Sequence, residues 1–341
     1  MNEFKLSIII PVYNKQKYIS KCIRSLTKSK CNIEIIVVDD GSIDNSGFIV
    51  KKLQKKFNNI FYFYKKNGGV SSARNFGLLQ VHSEYVTFLD ADDTFVSKNL
   101  PKMLGILDKN VDLLVSSYNV KKGFVTKNNI SLFKSYRRED YYDNFLDIFM
   151  YCQRILCKFY KISLIRKSNL KFDESLNFAE DTLFNIEYLS VSKNVYTIPI
   201  ITYSYRKFIF CYTLSSSCKN VNDSYEKIFR KSIDLLEKLK TTENGAMIEN
   251  DLFNFWFYYC SINYLRKLKD IDLVEKFLYE LLSYFKSSSS ISFHFDKNRY
   301  FDELDVYYLN REDFQKYILY WKQKHSFKER IARRVKGAKN V

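Results

Sequence analysis

The chain has 341 residues, 46% hydrophobic and 27% charged, with a formal net charge of +17. That balance excludes a disordered chain and leaves room for one large globular domain or two modest ones. No stretch of about 18 uninterrupted apolar residues occurs, so no membrane span is expected, and the opening Met1-Asn-Glu-Phe-Lys-Leu-Ser-Ile-Ile-Ile-Pro11 reads as a first core strand rather than a signal peptide.

Residues 6–12 form a β-branched apolar run that ends in Tyr13-Asn14. Residues 15–28 carry Ile19, Cys22, Ile23 and Leu26 at helical spacing. A second apolar strand spans 33–38. A helix over 44–57 presents Phe48, Ile49, Leu53 and Phe57, and a third strand covers 60–64. The Gly68-Gly69 pair leads into a helix over 69–79; strand 85–89, helix 98–107 and strand 112–116 follow. Uninterrupted apolar strands alternating with amphipathic helices predict an α/β fold, with a mostly parallel sheet covered on both faces. Beyond about residue 220 the pattern turns helical, at 224–239, 249–268, 272–285 and 312–323, with an aromatic stretch from Phe253 to Tyr264. The expected organisation is an α/β domain over 1–220, a helical region over 221–320 and a basic tail over 321–341.

In open α/β sheets, ligands bind beyond the carboxyl ends of the strands, and the unusual polar residues of this chain fall there. The first strand ends in Tyr13-Asn14, the second in Asp39-Asp40-Gly41-Ser42, the fourth in Asp90-Ala-Asp92-Asp93. Clustered carboxylates are costly to bury without a cation, and strand-end carboxylates open to water suit a hard divalent ion, Mg2+ or Mn2+, of the kind that handles phosphate. An acidic turn alone is the structural alternative. In 67–77 the glycines allow close backbone approach, the helix start offers N–H groups to an anion, and Arg74 supplies a guanidinium for phosphate or for an Asp of the cluster. Glu180-Asp181 opens a helix with apolar Leu183, Phe184, Ile186 and Leu189. Carboxylates there complement the helix dipole, which lowers their pKa; a proton-accepting role needs burial or a neighbouring acid to raise it.

Other chemistries have little material. The seven cysteines form no C-x-x-C pair and read as free thiols of a reducing cytoplasm. His82, His294 and His325 lie far apart, which disfavours a zinc site or a Ser-His-Asp triad.

The segments Ser7-Ile-Ile-Ile-Pro-Val-Tyr-Asn14, Val37-Val-Asp-Asp-Gly-Ser42, Gly68-Gly-Val-Ser-Ser-Ala-Arg-Asn-Phe-Gly77 and Leu89-Asp-Ala-Asp-Asp93 resemble, in order and in spacing, the family-two glycosyltransferases with a GT-A fold. Lys158-Phe-Tyr-Lys161, Leu170-Lys-Phe-Asp-Glu174 and Phe178-Ala-Glu-Asp-Thr-Leu-Phe184 extend the match, which covers roughly 4–217; Leu156-Cys157 stands where relatives often carry a Trp. The resemblance implies an inverting transfer from a UDP-sugar to a hydroxyl of a glycan or lipid-linked glycan in bacterial surface polysaccharide synthesis. By the same resemblance Pro11, Tyr13 and Asp40 border the nucleoside, with Asp40 on the uracil edge and Asp39 supporting that turn. Arg74 lies near the base or diphosphate, Asp90 near the ribose or sugar, and Asp92 on the metal, Mn2+ or Mg2+. Asp93 serves behind the metal ligand or caps its turn. Asp181 is the general base, with Glu180 beside it on the acceptor side, and Arg206 and Ser215 contact diphosphate or acceptor.

Residues 322–341 hold eight Lys/Arg and one Glu, with Phe327, Ile331 and Val335 every fourth residue. That pattern fits either a solvated tail or an amphipathic helix lying on an anionic bilayer, placing a cytoplasmic enzyme on the inner face of the plasma membrane. Two rivals remain. One is a nucleotide-sugar-binding assembly protein without catalysis, against which the intact Asp92 and Glu180-Asp181 speak. The other is a nucleic-acid-binding protein, motivated by charge alone and lacking any recognition signature, so no nucleic-acid partner is expected.

Overall fold

The computed structural model describes residues 4–206, apart from 30, 123–124, 130–133, 138–153 and 177–179, together with scattered positions between 275 and 320. The chain divides into two compact units, Met1–Leu235 and Leu236–Val341.

In the first unit, β1 (Leu6–Val12), α1 (Ile19–Leu26), β2 (Ile33–Asp39), α2 (Ser46–Gln54), β3 (Ile60–Tyr64), α3 (Val70–Leu79) and β4 (Tyr85–Phe88) alternate as the sequence predicts. The strands are apolar on both faces because helices cover both: Leu6, Ile8, Ile9 and Ile10 of β1 and Ile35 to Val38 of β2 are fully buried. The helical spacing of α1 places Ile19, Cys22, Ile23 and Leu26 against the sheet. Close contact between α3 and β1 depends on Gly77, where an added Cβ would stand 2.6 Å from Ile9 Cγ2.

β5 (Thr94–Phe95), a 3-10 turn (Ser97–Asn99), α4 (Leu100–Leu107), β6 (Leu113–Lys122), β7 (Val125–Asn129), β8 (Lys134–Arg137), β9 (Lys158–Lys161), α5 (Ile162–Lys167), α6 (Glu180–Val191) and β10 (Asn194–Arg206) complete the described part. The sheet runs β3-β2-β1-β4-β9-β6-β10-β5. β1 pairs in parallel with β2 on one side and β4 on the other, so the crossover direction reverses at β1. This is the topological switch point at which such sheets bind ligands. β9 runs antiparallel between β4 and β6, and β5 antiparallel to β10. The sequence pattern did not reveal these antiparallel strands.

The two sheet ends differ. At the amino ends of the strands the buried Glu34 is satisfied internally, by Ser7 Oγ, by the His82 N–H at 3.2 Å and by His82 Nδ1 at 2.8 Å. The carboxyl ends gather the acidic loops described below.

In the second unit Glu275, Tyr279 and 315–317 are helical, and Tyr317 is buried with its N–H on the Asp313 carbonyl at 2.9 Å. The predicted helices, the aromatic stretch, Ser215 and the tail 321–341 otherwise lie outside the described residues. Among those residues, no helix is long and apolar enough to cross a membrane.

Candidate active site

Four chain segments meet at the carboxyl edge of the sheet. The first pairs the loop after β1 with the loop after β2. The Asn14 N–H donates to Ser42 Oγ at 3.0 Å and the Ile43 N–H to Asn14 Oδ1 at 2.9 Å, which fixes the two loops side by side. Asp39 supports this turn as expected, accepting from the Ser42 N–H and from Tyr62 OH, each at 2.8 Å. Tyr13 stays half exposed at the rim, and Pro11 sits one residue before the strand ends.

Asp40 is buried at the end of β2. Its carboxylate accepts from Lys65 Nζ at 2.6 Å and from the Gly68 and Gly69 N–H groups at 3.0 and 2.8 Å. The sequence reading offers the N–H groups before α3 to a ligand anion. In the structure the two glycine N–H groups are already engaged by Asp40, because a buried carboxylate needs donors of its own. Gly69 reaches this geometry at φ 89°, a left-handed value open to glycine.

The turn after β4 carries three carboxylates in different settings. Asp93 is buried, accepting from Tyr203 OH at 2.7 Å and from the Arg206 N–H at 2.6 Å. Burial and the charge of Asp90 push it up to about 8. Asp93 therefore ties the acidic turn to β10 rather than facing solvent. Asp92 is more open, its side chain 22% exposed, and Lys15 Nζ lies 2.6 Å from its Oδ2. Asp90, its side chain 35% exposed, accepts from Arg74 at 3.4 Å, and its pKa is raised by burial and by Asp92.

Arg74 is 5% exposed on α3. Its guanidinium donates to Glu180 Oε1 at 2.9 Å and to Asp90 Oδ1, and lies 5.3 Å from the Phe172 ring centroid. Burial alone would lower its pKa, but Asp90, Glu180 and Asp181 outweigh that and raise it. The position expected near the base or diphosphate is a buried bridge between the acidic turn and the start of α6. Phe172 is held in turn by stacking on Phe184 of α6, with centroids 4.1 Å apart and planes at 4°.

Asp181, half-buried in the first turn of α6, accepts from the Thr182 N–H at 2.8 Å and the Ile155 N–H at 3.3 Å. Burial first, then Glu180, pushes its pKa up to about 6, against the opposing pull of Arg74 and Lys158. The helix-start argument alone predicted a lowered value. Burial and the adjacent acid win, which leaves a carboxylate suited to taking a proton near neutral pH.

The fold thus brings Asp40, Arg74, Asp90, Asp92, Glu180 and Asp181 to one edge from four segments. Arg206 lies at the end of β10, its guanidinium over the Tyr18 ring at 5.4 Å. Sequence reasoning missed Lys15, Lys65 and Tyr203, which partner the predicted carboxylates. Lys15 adjoins Asn14 and Tyr203 opens the quoted Tyr203-Ser-Tyr-Arg206, but only the tertiary distances pair them with Asp92 and Asp93.

The profile of glycosyl transferase family 2 matches residues 7–172. An uncharacterized glycosyltransferase of Haemophilus influenzae is 32% identical over 182 residues, covering 53% of this chain and 72% of that protein. The chain belongs to glycosyltransferase family 2. The minor teichoic acid biosynthesis protein GgaB of Bacillus subtilis is 32% identical over 218 residues, covering 60% of this family-two chain but 24% of GgaB. The crystal structure of residues 1–349 of Staphylococcus aureus TarS in complex with UDP-GlcNAc superposes with a TM-score of 0.70 at 22% identity, covering 95% of this chain and 93% of that one. The fold is the GT-A fold.

Proposed function

We propose that this family-two chain transfers a sugar from a UDP-linked donor to a hydroxyl of a bacterial surface glycan, inverting the anomeric configuration. The observation that carries this reading is the juxtaposition of two distinct carboxylate sites on one sheet edge. One is the open, cation-seeking Asp92 with Asp90 beside it; the other is Asp181, whose pKa is raised toward neutrality. A displacement with a diphosphate leaving group needs both, charge compensation for the leaving oxygens and a base for the incoming hydroxyl. The teichoic acid role of GgaB and the UDP-GlcNAc held by TarS support the donor and pathway class.

The residues at Asp92 fit a divalent cation. The carboxylate already attracts an ammonium, that of Lys15, at 2.6 Å. Among the described residues no three acidic, His or Cys side chains form a closed cage. One or two carboxylates completed by phosphate oxygens and water is the donor set that Mg2+ or Mn2+ uses in nucleotide sites. Asp92, with Asp90, would hold the ion, and its chemistry would be to neutralise charge on the departing diphosphate.

The remaining roles belong to the chain itself. Tyr13, Pro11 and the Asp40 loop would frame the nucleoside. Asp90 would orient the sugar or ribose while Arg74 keeps it aligned with Glu180. Asp181 would accept the acceptor proton as the new glycosidic bond forms and the anomeric C–O bond to UDP breaks, with Glu180 bordering the acceptor. The acceptor class is a glycan or lipid-linked glycan, and the basic tail 321–341 would dock the enzyme on the anionic inner face of the plasma membrane.

Calorimetry of UDP binding tests the donor half. With Mn2+ present, Asp92→Ala should weaken UDP binding at least about tenfold, a loss of roughly 1.4 kcal/mol, while in EDTA the two proteins should bind alike. Equal affinity of variant and parent in Mn2+ would contradict the role of Asp92.

A further inference from the structure

Lys158 opens β9 and is 2% exposed, among the largest fully buried side chains in the protein. Burying an ammonium costs several kcal/mol unless fixed dipoles replace its water. Here backbone carbonyls of the turn just before it do so. Lys158 Nζ donates to the Arg154 carbonyl and to the Leu156 carbonyl, the latter at 3.3 Å. The side chain therefore folds back and closes the turn 154–158 on itself.

That turn is not relaxed. Cys157 sits at φ 62°, a left-handed conformation that costs a non-glycine residue about 1–3 kcal/mol. It persists because the turn is tied on two sides. Ser116 of β6 donates its N–H to the Cys157 carbonyl at 2.8 Å, and Asn185 of α6 donates Nδ2 to the Arg154 carbonyl at 3.1 Å. Asn185 is itself set by Tyr160 OH, which donates to its Oδ1 at 2.5 Å. The product of this bracing is a donor, the N–H of the buried Ile155, aimed at Asp181 Oδ2 from 3.3 Å.

We infer that Lys158 is a positioning residue for the general base: its buried ammonium holds the turn that aims the Ile155 N–H at Asp181. It also supplies a positive charge that acts on that carboxylate. Among the described residues, the charged groups that act most strongly on Asp181 are Glu180 on its own helix, Arg74 from α3 and Lys158 from β9. Glu180 favours the protonated acid, whereas Arg74 and Lys158 favour the carboxylate. Arg74 is shared with Asp90 and Glu180, and so is already engaged by the donor side. Lys158 belongs to β9 and donates to the Arg154 and Leu156 carbonyls, whereas Asp90 pairs with Arg74 and Asp92 with Lys15. A misaimed base loses rate while donor binding is kept, because the donor residues lie on other segments.

The inference rests on the reading of Asp181 as base, and the test separates the two. Lys158→Met and Lys158→Gln are compared with Asp181→Asn for UDP release from UDP-GlcNAc, for the Asp181 carboxyl titration by carbon NMR, and for amide exchange at Ile155. In Lys158→Met the expected results are a kcat lower by about 10²-fold, an unchanged KM for the donor, and an Asp181 midpoint raised by roughly one unit. Exchange at Ile155 should accelerate while Ile8 to Ile10 stay protected. Lys158→Gln keeps a donor without the charge, so it should restore Ile155 protection but not the midpoint. Wild-type kcat and midpoint in Lys158→Met, or exchange that accelerates throughout the domain with no selectivity for Ile155, would overturn the inference. If neither variant folds, the wild-type Ile155 amide decides: its signal should follow pH with the Asp181 midpoint near 6 and lose that dependence in Asp181→Asn. An amide blind to pH in that range overturns the proposal. Wild-type turnover in Asp181→Asn would instead sink the base assignment and leave the Lys158 exchange result to stand alone.

Discussion

Asp181 has two chemical tendencies that oppose each other. Its place in the first turn of α6 favours the carboxylate, but burial and Glu180 favour the acid and win. With a midpoint of about 6, Asp181, the proposed base, is ionised above that pH and protonated below it. kcat/KM should therefore fall tenfold per unit as pH drops below about 6, and Asp181→Asn should abolish turnover at pH 7.5 while UDP still binds. A flat profile between pH 5 and 7, measured by initial rates, would contradict this. Stability carries the opposite sign. The folded midpoint lies above the ordinary value of 3.8, so ionising Asp181 destabilises the fold. That penalty is absent below about pH 4 and complete above pH 6. Denaturant unfolding should accordingly find Asp181→Asn more stable than the parent by about 1–2 kcal/mol at pH 8, and equal to it near pH 4.

The antiparallel contact of β5 with β10 closes the acidic turn from behind. Tyr203 OH accepts from the Asp90 N–H at 3.2 Å and donates to Asp93 at 2.7 Å. Removing that hydroxyl in Tyr203→Phe leaves a buried carboxylate oxygen without its donor, which should cost about 1–3 kcal/mol in urea unfolding and should also weaken UDP binding. A variant equal to wild type in both would show that β10 is not what holds the turn. The two halves of the sheet were unequally legible in the sequence. β1 to β4 and their helices could be read because each strand is a continuous apolar run and each helix repeats at 3.6 residues. β5 is two residues long, and β10 is broken by Pro199 in the middle of its apolar stretch, so neither offers an uninterrupted strand-like run. The placement of the candidate residues was legible at the strand ends, as at Asp40 and Asp92. Its pairings were not, since Arg74 and Glu180 are 106 residues apart in sequence and meet only once α3 and α6 have packed. Lys158 was the least legible of all, because a lysine is expected at the surface until its carbonyl partners are known.

The protein combines a basic chain with an acidic cleft edge. A net charge of +17 favours anionic partners generally, and in the proposed reading the carboxylates would select a cation-bridged diphosphate within that field. The same charge predicts co-sedimentation with vesicles containing phosphatidylglycerol, weakening steeply as salt rises and absent with neutral vesicles. Reversing the charges of Lys328, Arg330, Arg333 and Arg334 should abolish it; undiminished binding would place the membrane contact elsewhere. Function turns on the edge where the strands end, and one measurement addresses it most directly. UDP release should be followed from a panel of UDP-sugars that includes UDP-GlcNAc, in Mn2+ and in EDTA. The account predicts release from a single sugar, present in Mn2+, lost in EDTA and lost in Asp181→Asn. Release from no donor, combined with no Mn2+-dependent binding of UDP, would contradict it.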